Sequence, residues 1–178
     1  MTTVSQSGLA SGIGYRFAAW PVEEVPRVSA GVYTVWRGEQ LLYVGMAGRG
    51  LTQANIEERR NSEPQRPTGL FTRLASHASG RRSGDQFCVY VCDRFVIPTL
   101  RPDELVALSH GELKLDQHTR DWIRAELQFR FVETEDGRTA GELEREVQRG
   151  CLSCGPPLLN GIDRGWILNK PKRTNRPG

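Results

Sequence analysis

The chain has 178 residues and a formal net charge of only +3, from 24 Lys+Arg against 21 Asp+Glu. Its 38% of hydrophobic and 8% of aromatic residues are enough to form a buried core, which excludes wholesale disorder. A membrane span needs about eighteen consecutive apolar residues. Neither such a run nor a basic-then-apolar leader occurs, so the sequence predicts a cytoplasmic protein with no membrane segment.

The N-terminal part of the chain predicts a tail followed by a hairpin. Residues 1–12 are small and polar without periodicity, which indicates a flexible tail ahead of a single domain over residues 13–169. Within that domain, Gly31–Val44 contains two runs of β-branched and aromatic residues around a turn at Arg37–Gln40. This pattern is typical of a β-hairpin.

A surface insertion and a helix are predicted after the hairpin. The segment at about 46–67 is rich in Gly, Arg, Glu and Pro, so we predict an insertion that holds one short helix at Ala54–Arg60. The next apolar residues recur at helical spacing as far as a stop signal at Gly80. The predicted helix carries Arg73 and His77 on one face, because they are four residues apart.

The second half of the chain predicts a mixture of strands and helices. Gln86–Val96 is rich in β-branched and aromatic residues, which predicts a strand, and helices are expected from Pro102 and over Thr119–Leu127. Gln128–Thr134 alternates polar and apolar residues, which indicates a half-buried strand.

The remaining segments complete an α+β pattern with a small antiparallel sheet. Thr139 and Glu142 match a capping box, which predicts a helix over about Ala140–Arg149. The last segment, residues 170–178, contains four basic residues and no acidic one. We predict an extended basic tail that can lie along a phosphate backbone.

Two tripeptides of the hairpin carry a family resemblance. Gly31–Tyr33 reads Gly-Val-Tyr and Tyr43–Gly45 reads Tyr-Val-Gly, and this pair resembles the tripeptides that name the GIY-YIG nuclease superfamily. Val in place of Ile is a conservative exchange in a strand. The resemblance implies a core with a three-stranded antiparallel sheet flanked by helices. Relative to this core, residues at about 46–67 and 81–126 are insertions that would add an extra strand and helices.

Four polar residues further along fit the same superfamily in type and order: Arg73, His77, Glu144 and Asn160. A His four residues after the Arg is similar to the version found in GIY-YIG restriction endonucleases. Glu142 and Glu146 flank Glu144. Glu142 is better explained as the helix cap, whereas Glu144 has the apolar neighbours of the superfamily pattern. In this resemblance, Asn160 would orient or support the side chains of the site.

The resemblance implies metal-dependent hydrolysis of DNA phosphodiester bonds, sequence-specific and of the restriction or mobile-element type. Glu144 would hold one Mg²⁺, for which Mn²⁺ can substitute. Arg73 would clamp the scissile phosphate through paired N–H donors. Tyr33 would act as general base on the attacking water, with the support of Tyr43 or His77. A free Tyr has a pKa of about 10, so near neutral pH it needs a partner for its proton.

Basic residues are concentrated around the predicted site. From Arg37 to Arg82, Arg outnumbers Glu by four, and such a patch attracts phosphate backbones irrespective of sequence. We therefore expect double-stranded DNA as the partner, and a homodimer with one site per strand. The expected DNA contacts are Arg49, Arg59, Arg60, Arg66, Arg81, Arg82, Lys170, Lys172 and Arg173.

Other interpretations stay open at the level of sequence. The same fold could serve as a non-catalytic nucleic-acid-binding module, or the nuclease could act in DNA-repair incision. The spacing of Cys88, Cys92, Cys151 and Cys154 would suit a four-thiolate zinc site if the fold brought both pairs together. Cys88 and Cys92 equally fit small buried apolar residues.

Overall fold

The computed structural model describes residues 2–160, which form seven α-helices and five β-strands. The strands are β1 (Tyr15–Arg16), β2 (Val28–Arg37), β3 (Gln40–Ala47), β4 (Thr68–Gly69) and β5 (Gln128–Thr134). The helices are α1 (Thr2–Ser11), α2 (Gln53–Arg60), α3 (Leu70–Ser79), α4 (Gln86–Val91), α5 (Pro102–Ser109), α6 (Leu115–Glu126) and α7 (Gly137–Gln148). Short 3₁₀ turns lie at Phe17–Ala19 and Ile97–Thr99, and a π-helical turn lies at Cys92–Val96.

The long strand β2 is the centre of the sheet. It pairs antiparallel with β3 on one side and with β5 on the other, so that Tyr33 stands opposite Gly45 and opposite Phe131. The strand order is β1-β5-β2-β3, and the short β4 adds a parallel pairing at the start of β2. The α+β class with an antiparallel sheet flanked by helices is thus confirmed, although the sheet has five strands rather than three.

Helices cover both faces of the sheet, which explains why nine of the ten residues of β2 are buried. Alternate residues of a strand point to opposite faces. Tyr33 and Val35 belong to a core that includes Leu70 and Leu74 of α3. The neighbouring positions pack into a second core with residues of α1 and α7: Val32, Trp36, Leu9, Leu143 and Val147. The structure therefore places α3 against one face and α1 and α7 against the other.

The first residues of the chain form a helix, so the flexible tail predicted over 1–12 is wrong. In α1, Leu9 is completely buried in the core with Val32 and Trp36. The Leu9 carbonyl also accepts a hydrogen bond of 2.9 Å from the hydroxyl of Thr34 on β2. Most residues around Leu9 are small and polar, so the segment has no periodic apolar pattern that would predict a helix.

The strand predicted over Gln86–Val96 is also wrong, because this segment is helical. Asp85 precedes it as the helix N-cap, with its carboxylate accepting the backbone N–H of Cys88 at 3.3 Å. The buried side chains recur every three to five residues, as one face of a helix requires. They are Phe87, Cys88, Val91, Cys92 and Val96. Their β-branched and aromatic character favours a strand by composition, but their spacing does not.

The helix that carries Glu144 begins earlier than predicted. Its N-cap is Asp136, whose side chain accepts the N–H of Thr139 at 2.8 Å. The predicted capping box at Thr139 and Glu142 is therefore wrong, and Glu142 instead pairs with Arg138 on the exposed surface. Asp is a preferred N-cap residue because its carboxylate satisfies a free backbone N–H.

The other predicted elements agree with the structure. The hairpin is β2–β3, and the predicted helices correspond to α2, α3, α5 and α6. The helix predicted over Thr119–Leu127 begins four residues sooner, at Leu115. The strand Gln128–Thr134 is β5. The basic tail predicted at 170–178 lies outside the described residues.

Candidate active site

A cavity of about 460 Å³ opens where β3 meets α3 and α7. The residues that line it are Tyr33, Tyr43, Gly45, Met46, Ala47, Gly48, Arg49, Arg73 and Glu144. The fold therefore brings together four of the six residues that the sequence predicts as catalytic. His77 lies behind Tyr33, and Asn160 lies along β3. We call this space the site cavity.

The hydroxyl of Tyr33 reaches the site cavity across the neighbouring strand. Tyr33 is only 1% exposed, and its cross-strand neighbour is Gly45. A Cβ atom at position 45 would lie 2.2 Å from the Tyr33 hydroxyl oxygen, which is far inside contact distance. Glycine at this position therefore leaves the space that the hydroxyl occupies. The Tyr of the first tripeptide therefore requires the Gly of the second, because any side chain at position 45 would collide with the Tyr33 hydroxyl.

The helix α3 positions a histidine against Tyr33. Leu70 and Leu74 pack into the core, and His77 continues the same buried face with 2% exposure. The distance from the Tyr33 hydroxyl oxygen to His77 Nε2 is 2.7 Å, which is a short hydrogen bond. Arg73, one turn earlier, is exposed and lines the cavity.

A buried aspartate, Asp85, binds the other nitrogen of the same histidine. Its Oδ2 atom lies 2.7 Å from His77 Nδ1, and it also accepts the hydroxyl of Ser76 at 2.7 Å. Burial alone would raise the pKa of Asp85, but the hydrogen bonds from His77, Ser76 and the Cys88 N–H outweigh it and lower that pKa to about 2. The carboxylate is therefore ionised and can only accept hydrogen bonds.

The ionised carboxylate determines the direction of the whole hydrogen-bond chain. Since Asp85 only accepts, Nδ1 of His77 carries the proton and donates it. In the neutral imidazole, Nε2 is then an acceptor, and the Tyr33 hydroxyl donates to it.

The sequence prediction missed Asp85. The signal that could have found it is an N-cap aspartate directly before apolar residues at helical spacing.

Burial opposes ionisation of both tyrosines. It raises the pKa of Tyr33 well above its ordinary value, and the nearby charge of Tyr43 adds to this effect while Arg73 opposes it. Burial also raises the pKa of Tyr43, to about 12. Both side chains are therefore protonated at neutral pH. Tyr33 can accept a proton only if it passes its own proton to His77.

The carboxylate of Glu144 enters the site cavity from α7. Its Oε1 atom accepts the backbone N–H of Met46 at 3.1 Å, which fixes the side chain against the end of β3. Burial raises the pKa of Glu144, and the Met46 N–H and the nearby guanidinium of Arg49 act in the opposite direction. A cation at this carboxylate would favour its ionised form.

Asn160 stabilises the edge of β3 and does not line the cavity. Its side-chain amide accepts the N–H of Val44 at 2.7 Å and donates to the Val44 carbonyl at 2.8 Å. Beside it, the N–H of Leu159 donates to the carbonyl of Leu42 at 2.7 Å. Asn160 thus pairs with β3 as a further strand residue would, next to Tyr43.

The donor set around Glu144 fits a Mg²⁺ ion. Among the described residues that line the site cavity, Glu144 is the only acid. One carboxylate in an open, water-accessible cavity suits Mg²⁺, which is bound through one or two carboxylates and keeps several waters. The cluster of His77, Asp85 and Cys88 has its potential ligand atoms within 4.8 Å of one another. Both nitrogens of His77 are hydrogen-bonded, and burial raises the pKa of the Cys88 thiol, so this cluster suits a hydrogen-bond network better than a metal.

The cysteines do not form the four-thiolate cluster. Cys88 and Cys92 are buried and Cys151 and Cys154 are exposed, and all four are free. Within residues 2–160, only the cluster at His77 brings three potential metal ligands together. Cys88 and Cys92 pack as apolar residues under α6.

The predicted DNA contacts have mixed surroundings. Arg49 lines the site cavity, and Arg59, Arg66 and Arg81 are exposed on the surface. Arg60 pairs with Glu133 at 2.5 Å and Arg82 with Asp116 at 3.0 Å, so both have structural partners. The structure does not describe the last three predicted contacts: Lys170, Lys172 and Arg173.

Comparisons with known proteins leave the site to be judged on its own geometry. A scan against protein-family models and searches of curated proteins and of solved structures return no match to this chain. Over residues 2–160, no helix has the length and apolar character needed to cross a membrane.

Proposed function

We propose that this chain is a metal-dependent DNA endonuclease of the GIY-YIG type. The observation that carries the proposal is the convergence of Tyr33, Tyr43, Arg73 and Glu144 on one cavity. These residues come from β2, β3, α3 and α7 and are spread over more than a hundred positions of the chain. A binding surface would need the arginines but would not need a buried Tyr–His–Asp chain behind them.

The residues supply each requirement of phosphodiester hydrolysis. Arg73 binds the scissile phosphate and neutralises its charge in the transition state. Glu144 would hold Mg²⁺, which would supply further charge neutralisation at the phosphate when bound. Tyr33 takes a proton from the attacking water as its own proton moves to His77 Nε2, and Asp85 stabilises the imidazolium that results.

The proton and bond balance of the reaction is simple. The oxygen of the water forms a bond to phosphorus, and the bond between phosphorus and the leaving oxygen breaks. The leaving oxygen takes a proton from solvent. After the product has left, His77 returns its proton to Tyr33 as Tyr33 releases to solvent the proton that it took from the water. The chain Tyr33–His77–Asp85 therefore makes a buried, high-pKa tyrosine usable as a base near neutral pH.

The test is plasmid cleavage by the purified protein in Mg²⁺, with methylated and unmethylated DNA and with EDTA as a control. We expect discrete fragments that disappear in EDTA and with Glu144→Ala. The matched control is Glu142→Ala, because Glu142 lies on the same helix, is exposed and does not line the cavity. A difference between the two DNAs would favour a restriction role.

Two results would contradict the proposal. The first is salt-dependent DNA binding without cleavage that Glu144→Ala leaves unchanged, which would favour the non-catalytic binding module. The second is equal cleavage by Glu144→Ala and Glu142→Ala. We further propose that a homodimer makes the double-strand break. A monomeric mass in light scattering with DNA bound would contradict that part alone.

A further inference from the structure

A second cavity adjoins the site cavity along α7. It has a volume of about 410 Å³. Its lining residues are Met46, Arg49, Gly137, Arg138, Gly141, Glu144 and Arg145. We call it the α7 cavity. It shares Met46, Arg49 and Glu144 with the site cavity, so the two form one continuous groove that passes Glu144.

The α7 cavity has an excess of positive charge that the chemistry of the site cavity does not use. Three guanidinium groups line it, against the single carboxylate of Glu144. That carboxylate already accepts the N–H of Met46. The charges of Arg49 and Arg145 oppose the rise in the Glu144 pKa, which shows that both act on this part of the groove.

The third arginine has only a weak competing partner. Arg138 pairs with Glu142 at 3.0 Å, and both side chains are largely exposed. An exposed ion pair of this kind contributes little and exchanges readily for a better partner. A phosphate group offers several oxygens to guanidinium donors at once and is such a partner.

We propose that the α7 cavity binds the DNA phosphate next to the one that is cleaved. This inference rests on the proposed function, because the cleaved phosphate defines where its neighbour must lie. Arg145 and Arg138 would bind the neighbouring phosphate, and Arg49 would lie between the two. Phosphate contacts of this type fix the register of a strand and carry no base specificity.

Gly141, which lines the α7 cavity, allows the cavity to be filled by a substitution that changes no charged residue. Gly141 lies in the middle of α7, and a Cβ atom built there meets nothing within 4 Å. A larger side chain at this position therefore fits the fold and projects into the free space. Replacing a helix-interior glycine also favours the helix.

The first experiment scans single methylphosphonate substitutions across the cleavage site of the wild-type protein and of Arg145→Gln. A methylphosphonate removes the charge of one phosphate. We expect that one position adjacent to the cut lowers kcat/KM about tenfold, mainly through KM. Arg145→Gln should show part of this loss on unmodified DNA and a smaller additional loss at that position than the wild-type protein shows, because Arg138 still contacts the phosphate.

The matched control is Arg149→Gln. Arg149 is exposed directly after α7 and lines neither cavity. We expect it to respond to the methylphosphonate as the wild-type protein does. Additive losses in Arg145→Gln, or a scan that is flat at both neighbouring phosphates, would overturn the inference.

The second experiment compares Gly141→Leu with Gly141→Ala. Both variants should unfold at or above the wild-type temperature. Gly141→Leu should raise KM for DNA about tenfold or more by filling the cavity, whereas Gly141→Ala should leave KM nearly unchanged. Equal KM values for the two folded variants would contradict the phosphate site.

These outcomes separate the inference from the proposed function. If the wild-type protein cleaves DNA but the methylphosphonate scan is flat, only the inference that the α7 cavity binds a phosphate is overturned. If the wild-type protein cleaves no DNA, the proposed function fails. The anisotropy of a labelled duplex in EDTA then decides on the cavity alone, because Gly141→Leu must still weaken binding relative to Gly141→Ala.

Discussion

Tyr33 is chemically unusual because a hydrogen-bond chain connects its hydroxyl to two buried polar groups, His77 and Asp85, and to the half-buried Ser76. His77 accepts a hydrogen bond from this hydroxyl, Asp85 binds the other nitrogen of His77, and Ser76 donates to the same aspartate. Buried polar groups are costly unless they are hydrogen-bonded. The pairing of all three groups therefore both preserves the fold and determines which atom can take up a proton.

The first prediction concerns the hydroxyl of Tyr33. Tyr33→Phe removes the proton relay but keeps the ring in the core, so we expect kcat to fall at least about 100-fold while DNA binding persists. Tyr15→Phe is the control, because Tyr15 lies on β1 and lines none of the cavities described. Single-turnover cleavage measures the effect. Equal rates for the two variants would exclude Tyr33 as the base.

The second prediction concerns stability in acid. The pKa of Asp85 is lowered to about 2 in the folded protein, so its contribution to stability is present above its ordinary value of 3.8 and is lost as the pH falls toward 2. We expect the stability advantage of the wild-type protein over Asp85→Asn to shrink by about 2 kcal/mol between pH 5 and pH 2.

Urea unfolding at each pH measures this change, with Asp93→Asn as the control. Asp93 is exposed on the adjoining helical turn. The change between pH 5 and pH 2 is compared for the two replacements. Equal changes for Asp85→Asn and Asp93→Asn would show that Asp85 does not hold its low pKa in the folded protein.

At the scale of elements, the position of α7 determines whether Glu144 reaches the site cavity. The helix begins at Gly137, whose N–H donates to the Leu51 carbonyl at 2.8 Å. A Cβ atom at Gly137 would lie 2.1 Å from the Gly48 carbonyl oxygen. The N-terminus of α7 therefore packs directly against the backbone that follows β3.

The third prediction follows from this close packing. Gly137→Ala should lower the free energy of unfolding by about 1–3 kcal/mol, because the backbone must move to admit the methyl group. Gly141→Ala on the same helix should instead raise it by up to about 1 kcal/mol. Chemical denaturation compares the two. A stable, fully active Gly137→Ala would show that this contact does not position Glu144.

The elements that the sequence predicted correctly have strong local signals. The hairpin has two apolar runs around a turn, and α3 has regular helical spacing up to Gly80, which adopts the left-handed conformation. The composition of Gln86–Val96 favours a strand that the structure does not form, and the sequence of α1 lacks a periodic apolar pattern around its buried residue Leu9. In both segments, tertiary packing determines the secondary structure, so the local sequence pattern alone does not predict it.

The candidate site was predictable to the extent that residue types and their order carry chemistry. Tyr33, Tyr43, Arg73 and Glu144 were all singled out, and they share a cavity. Asp85 is not among the predicted site residues, because its role depends on a contact with His77 that only the folded chain creates. The role predicted for Asn160 stays a prediction: its side chain binds the backbone of Val44 and does not line the cavity.

At the scale of the whole molecule, the small net charge hides a local concentration of cations. A third, smaller cavity of about 150 Å³ shares Ala47, Gly48 and Arg73 with the site cavity. The three cavities together form a groove that contains four arginines: Arg49, Arg73, Arg138 and Arg145. A phosphate backbone can follow such a groove although the protein as a whole carries only +3.

The fourth prediction compares arginines inside and outside this groove. The logarithm of the DNA-binding constant falls with the logarithm of salt concentration by about 0.9 for each phosphate contact. Arg73→Gln should reduce that slope by about this amount, whereas Arg94→Gln should not, since Arg94 is exposed and lines none of the three cavities. Fluorescence anisotropy at several salt concentrations measures both slopes.

The same measurement tests Arg66, which the sequence predicted as a DNA contact and which lines none of these cavities. A slope for Arg66→Gln equal to that of Arg73→Gln would extend the DNA-binding surface beyond the groove. A slope equal to that of Arg94→Gln would confine it there. Equal slopes for Arg73→Gln and Arg94→Gln would contradict the groove as the DNA path.

The order of the elements along the chain also has a consequence for synthesis. Ribosomes release a protein from its N-terminus, so β2, β3 and α3 emerge before α7. A growing chain therefore already contains Tyr33, Tyr43 and Arg73 while it still lacks Glu144. Glu144 is the last of these residues to be translated, so a chain that terminates before α7 lacks both this carboxylate and the helix that packs against Val32 and Trp36.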